Sequence, residues 1–282
     1  MQYYHQTKTE SGLIISIDNI VLDFIIHRQN DRDRLAKLLD TMPLTQEIDI
    51  THWDSLKIGT YHDQFRLAFK DGSSCWLGCG LMGKKTFWER IRLDFNPNKV
   101  CKESAFQELL RHLYACTHQY DRSIKRYDLA VDVPIDRFDC WLVKDNRAYI
   151  ERRHGSEFTQ YLGAKSSHAG RVKLYNKQVE SHLPYPLTRL ELTLEPGVPY
   201  AEINWPTVYC LKSSQLCIDE RITDTDRFII NSILQGCGSS RNLGRKMREK
   251  IDLLLKDYVS MVSISERDYS IIQRELLSYI RP

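Results

Sequence analysis

The chain has 282 residues, 42% apolar and 27% charged, with a formal net charge of +3. That mixture belongs to a soluble globular protein with ample length for a core, which excludes disorder as the default and confines any nucleic-acid site to a local stripe. No apolar run reaches the ~18 residues of a membrane span, Asp18 and Asp23 interrupt the first apolar stretch, and the eight cysteines are scattered like reduced, packed thiols; a cytoplasmic protein without membrane contact is expected.

In chain order, "GLIISIDNIVLDFII" (12–26) is β-branched and apolar and reads as a first strand, and "DRDRLAKLL" (31–39) as a helix with Leu35, Leu38 and Leu39 on one face. "DQFRLAFKDGSSCWLGCG" (63–80) reads as a hairpin turning at Asp71 and Gly72. Cys75 and Cys79 lack a second ligand pair and are expected to pack as small hydrophobes instead of holding zinc. "TFWERIRLDFNPNK" (86–99) continues as a strand with Phe87, Glu89, Ile91, Leu93 and Phe95 on one side, stopped by Asn96, Pro97 and Asn98. Ser104 and Gln107 suggest a capping box for a helix with Phe106, Leu109, Leu110, Leu113 and Tyr114 on one face.

"IKRYDLAVDV" (124–133) alternates, with Tyr127, Leu129, Val131 and Val133 inward and Arg126, Asp128, Ala130 and Asp132 on a polar side. A helix is expected around Arg137 to Lys144, then strands "FTQYLGA" (158–164), "RVKLYNK" (171–177) and "LTRLELTLE" (187–195), the last with Arg189, Glu191 and Thr193 on its polar side. Beyond about Trp205 the apolar period becomes helical, with a second capping box at Ser265 and Asp268. The expected architecture is α+β: a mostly antiparallel sheet with helices on one face over 1–205, and a helical C-terminal region over 206–282.

Three features of the strands raise a chemical question. In "RVKLYNK" an extended backbone puts Arg171, Lys173, Tyr175 and Lys177 on one side, so three cations surround one phenol. A half-buried strand with a solvated basic face accounts for this; so does a phosphodiester lying along that face, with the phenolate attacking phosphorus. Carboxylates on neighbouring strands are the second feature. A hard divalent cation, Mg²⁺ or Mn²⁺, takes oxygens at about 2.1 Å, and Asp128 and Asp132, about 13 Å apart along a straight strand, reach one ion only if a bulge or strand end intervenes. Asp128 and Glu191 can meet across a ladder, where opposed Cβ atoms lie about 5 Å apart. Plain pairing of Arg126 and Arg189 with these acids is the alternative. Thirdly, Arg241, Arg245, Lys246, Arg248 and Lys250 gather near one C-terminal helix, as a phosphate-reading surface or as a solvated helix face.

Five stretches, "RLDFNPNK" (92–99), "KRYDLAVDV" (125–133), "YLGAKSS" (161–167), "RVKLYNKQVE" (171–180) and "TRLELTLE" (188–195), resemble in order and spacing the replication initiation factor family of rolling-circle plasmids, the Rep-trans type, with its phage-initiator and relaxase relatives. The resemblance covers about Gly12 to Pro196. It implies a fold related to the His-hydrophobic-His nicking endonucleases, with carboxylates in place of the histidines; the chain contains no H-x-H. It implies an origin-specific nicking and rejoining enzyme in which Tyr175 becomes joined to a 5′ phosphate. It further implies that Asp128, Asp132, Glu191 and, in the first strand, Asp18 hold Mg²⁺ or Mn²⁺. Arg171, Lys173, Lys177, Arg126 and Arg189 are the expected DNA contacts, and either a metal ion or a lysine is expected to lower the phenol's pKa or a base to take its proton. Expected partners are single-stranded DNA or an extruded hairpin origin, a host helicase and a second copy of the chain. A conjugative relaxase and a DNA-binding relative without the reaction are the alternatives. Tyr161 is the rival nucleophile, its chain neighbours supplying no cations, and Gly163, Ser166 and Ser167 form either a phosphate-approaching loop or a turn.

Overall fold

A computed structural model describes residues 7–9, 12–46, 48–54, 61–81, 88–155, 157–164, 170–211, 222–234 and 237–281. Phe87, Ser166, Ser167 and Cys217 lie outside the described residues. The first strands and helices are β1 (Thr7–Lys8), β2 (Ile14–Ile25), α1 (Gln29–Thr45), β3 (Ile48–Asp54), β4 (Tyr61–Phe69), β5 (Ser74–Leu81), β6 (Arg90–Phe95), α2 (Pro97–Val100) and α3 (Ser104–Cys116). There follow β7 (Arg122–Val133), β8 (Cys140–Leu142), β9 (Tyr149–His154), β10 (Glu157–Leu162), β11 (Val172–Asn176), α4 (Lys177–Glu180), β12 (Thr188–Leu194) and β13 (Val208–Leu211). The chain closes with α5 (Asp224–Leu234), α6 (Arg245–Tyr258), β14 (Val259–Val262) and α7 (Glu266–Ser278).

The protein is α+β. One eleven-stranded sheet runs β3-β4-β5-β6-β2-β7-β12-β11-β10-β9 with β1 beside β2, and every ladder among the described residues is antiparallel. Strict alternation sorts its two faces. Inward residues of β2 such as Ile15, Ile17, Ile20, Leu22 and Phe24 meet the apolar faces of α1, α3 and α7 in one core. Aromatic contacts fix this layer: Phe95 touches Phe106 of α3 (4.8 Å between centroids) and Tyr279 just past α7 (5.9 Å), and Phe24 touches Tyr114 (6.2 Å). The opposite face, from Arg66 through Asp94, Asn19, Asp128 and Glu191 to Lys173 and Tyr161, is polar.

The hairpin turns as expected at Asp71–Gly72: Gly72 has φ of 81°, a left-handed conformation that suits glycine, and the Asp71 carboxylate accepts from Ser73 N at 2.8 Å. Ser265 and Asp268 form the expected capping box of α7. Ser104 and Gln107 do not form theirs. Ser104 is already inside α3, and the Gln107 amide donates to the Cys101 carbonyl at 2.9 Å. The helix expected at Arg137 to Lys144 is only one 3-10 turn (Arg137–Asp139) followed by β8, because Cys140, Trp141 and Leu142 are all buried and pair with Val208–Cys210. Strand β9, exposed along most of its length and almost continuously polar, has no alternation to betray it.

The region 206–282 is not purely helical. Strands β13 and β14 pair with each other and, through β13, with β8 in a three-stranded sheet, and α5 and α6 close a second core around Trp141, Ile230, Leu234, Ile251 and Leu254. Helix α7 returns to the main core, where the Tyr127 hydroxyl bonds that of Tyr269 at 3.2 Å. No helix among the described residues is long and apolar enough to cross a membrane.

Candidate active site on the polar sheet face

The register of four neighbouring strands assembles the site. Across β7 and β12, Asp128 faces Thr193, Ala130 faces Glu191 and Asp132 faces Arg189; across β12 and β11, Glu191 faces Lys173 and Arg189 faces Tyr175. All these side chains therefore share one face. On β2 the register slips between Ile17 and Asn19, a bulge that lets Asp18 and Asn19 both turn to the polar side before Ile20 returns to the core.

Tyr175 and Glu191 meet: the phenol donates to Glu191 Oε1 at 2.5 Å, while Lys173 Nζ donates to Oε2 at 3.3 Å and lies 3.7 Å from the centre of the tyrosine ring. The ring is covered, leaving Tyr175 only 6% exposed. The flanking lysines do not bring the phenol's pKa down. Burial first, and then the Glu191 carboxylate beside it, hold the phenol in its protonated form and push its pKa up. Lys177 is past the end of the strand: it opens α4, is itself buried, and its ammonium pairs with Glu180 while staying 6.0 Å from the centre of the Tyr175 ring.

The acids divide into two groups. Asp132 and Arg189 are 3% and 5% exposed and form a bidentate pair at 2.6 and 2.7 Å; the same guanidinium reaches Asp18 at 2.5 Å. Asp18 also accepts from Asn96 Nδ2 at 3.1 Å. The regular ladder beside β12 leaves no bulge between Asp128 and Asp132, so their separation along the strand persists. Asp132 is thus committed to Arg189 and stands apart from Asp128 instead of joining it at one ion, and Arg189, expected on DNA, is buried between two carboxylates. Asp128 is different. It has no ion pair with a described residue, and burial, with the Glu191 and Asp18 charges adding to it, pushes its carboxyl pKa up to about 6 against a Thr193 hydrogen bond and Arg126.

Among the described residues no three ligand-type side chains are already grouped to hold a metal ion. The chemistry of Asp128 nevertheless fits a divalent cation: burial first, and then two neighbouring carboxylates, make its charge costly, and a cation arriving there would offset that cost. Asp128 and Glu191 are the residues that would hold it. Cys75 and Cys79 are buried in the core as free thiols.

Of the expected DNA contacts, Arg171, Lys173 and Arg126 reach the surface, Arg126 with Asp94 at 3.6 Å. Tyr161, which has no cations beside it in the chain, has two in space: Arg171 from β11 at 5.2 Å and Arg152 from β9 at 5.8 Å lie over its ring. Arg152 was not foreseeable from the spacing of apolar residues, because after Tyr149 and Ile150 strand β9 carries only charged and polar side chains. Compared with family models and with curated proteins, the chain matches none.

Proposed function

We propose that the chain nicks and rejoins one DNA strand at a specific origin through a Tyr175 phosphodiester, initiating rolling-circle replication. The observation that carries this reading is the Tyr175 hydroxyl at 2.5 Å from Glu191, with Lys173 against both. In this reading a phosphate entering the face draws the Lys173 ammonium away from Glu191 and uncovers the phenol. Glu191 takes the phenol proton as Tyr175 Oη bonds to phosphorus; the P–O3′ bond breaks, and the leaving 3′ oxygen receives the proton. The result is a 5′-phosphotyrosyl end and a free 3′ hydroxyl, and the retained ester energy permits the reverse step. Asp128 and Glu191 would hold a divalent ion, which would supply Lewis-acid polarisation of the phosphate.

The test incubates the protein and Mn²⁺ or Mg²⁺ with supercoiled DNA carrying its gene and flanking sequence. A covalent adduct that survives denaturing electrophoresis and disappears in Tyr175→Phe, with DNA binding kept, is expected; an undiminished adduct transfers the role to Tyr161. A second reading, a DNA-binding relative without the reaction, is favoured by the burial of Tyr175 at 6% exposure; it yields binding and no adduct. A conjugative relaxase performs the same chemistry and is told apart by transfer genes, in place of a hairpin origin, beside its own.

A further inference from the structure

The same sheet face carries a concavity that the tyrosine chemistry does not use. Where the β4–β5 turn approaches the β6–α2 junction, a cleft of about 630 Å³ is lined by Asn19, Arg66, Trp76, Asn96, Lys99 and Lys102 among others. That size falls within the ~300–1,000 Å³ of small-ligand clefts. Its chemistry is uneven. Lys102 is neutralised by Asp71 at 2.7 Å, and Asp94 accepts from Asn19 at 2.8 Å. Arg66 and Lys99 are exposed and form no ion pair with a described residue.

Trp76 is the flat element. It faces Arg66 on one side of the ladder and Asp94 on the other. Its indole lies over Gly78, where an added Cβ would stand 2.4 Å from the ring's Cη2. The absence of a side chain at 78 is what lets the ring settle onto the sheet. Its N–H is already satisfied by Gln64 at 3.2 Å and the Tyr61 ring meets it edge-on at 5.6 Å between centroids; it remains half-buried and lines the cleft, so the polar edge is spent and part of the indole is open there. Beside it, Asn96 Oδ1 is buried without a hydrogen-bond partner, while Asn96 Nδ2 is held by Asp18 of the candidate site.

A partly open π surface and two exposed cations without an ion pair match a nucleotide: a base to stack and a phosphate to neutralise. We infer that this cleft binds one unpaired nucleotide of a single DNA strand, its base on Trp76 and its phosphate between Arg66 and Lys99. The inference rests on the nicking reading for its choice of DNA over a free nucleotide. Five strand spacings separate β5 from β11, about 24 Å at ~4.8 Å each, which is within the reach of the ~4–16 nucleotides that single-strand grooves engage.

The experiment measures binding of the full chain to a labelled mixed-sequence single-stranded oligonucleotide and to its duplex, across a salt series. Trp76→Leu is expected to weaken single-strand binding by ~10-fold or more, the range of a lost base–aromatic stack, with Trp76→Phe restoring most of it and the duplex unaffected. Lys99→Gln, an exposed change that spares folding, lowers the slope of log affinity against log salt by ~0.7. Parent-like affinity in both Trp76→Leu and Lys99→Gln overturns the inference. Trp76-dependent binding without any covalent adduct from the parent sustains the cleft and sinks the nicking reading. Parent protein that binds no single strand sinks both.

Discussion

Replacing Asp128 by Asn tests the electrostatics of the site without touching the tyrosine. Burial, reinforced by Glu191 and Asp18, raises the Asp128 carboxyl from an ordinary 3.8 to about 6. Because the folded protein holds this proton more tightly than the unfolded chain, folding is helped below about pH 4 and progressively penalised between about pH 4 and 6. Above pH 6 the penalty is complete. At ~1.36 kcal/mol per pH unit it amounts to at most about 3 kcal/mol. Asn keeps the shape, can still pair with Thr193, and carries no charge to desolvate. Urea unfolding of the two proteins from pH 4 to 8, without divalent ions, is expected to show matching stability near pH 4 and an advantage for Asp128→Asn that grows to ~1–3 kcal/mol by pH 7. Millimolar Mn²⁺ at pH 7.5 is expected to narrow the gap by stabilising the parent alone. Curves that stay parallel over the whole range, with or without Mn²⁺, would refute both the burden on Asp128 and its suitability for a cation.

Two further outcomes follow from the same geometry. Arg189→Gln strips the partner from buried Asp132 and from Asp18, so a loss of ~3–5 kcal/mol is expected in urea melts at pH 7, part of it recovered by adding Asp132→Asn; a loss below 1 kcal/mol would show that water replaces the guanidinium. Gly78→Ala places a methyl 2.4 Å from Trp76 and 2.8 Å from Tyr61, which is expected to cost ~1–3 kcal/mol and to change the near-ultraviolet dichroism, and an unaltered spectrum would mean the ring does not rest on this glycine.

Much of the sheet is legible in the sequence because its central strands are amphipathic: Tyr127, Leu129, Val131 and Val133 go inward and Asp128 and Asp132 outward as alternation demands. The same rule placed Asp128, Glu191 and Tyr175 on one face. It had no means of saying which cation each acid would meet. That depends on register, since Asp132 lies opposite Arg189 and Glu191 opposite Lys173, and a shift of two residues would keep every face and exchange every partner. The phenol's raised pKa escaped for a similar reason: nearby cations are visible in the letters, while the burial and the Glu191 contact that raise it are not. Strand β8 was mistaken for a helix because its partner, β13, is distant in sequence, and a short apolar run does not itself choose between the two. The Ser104 box failed on a shift of one position, within the ordinary fraying of helix boundaries.

The way α7 closes the main core bears on how the protein is made. Phe24 on β2 is synthesised early, but Tyr279, which completes the same apolar layer, follows 255 residues later; at ~5–20 residues per second this is roughly 13 to 50 s on the ribosome. For the part of that interval that follows the synthesis of β7 (Arg122–Val133), the apolar face that α7 covers is without that cover. Exposed apolar surface of this kind is prone to aggregate, so a gain in yield from slower, cooler expression is the practical expectation.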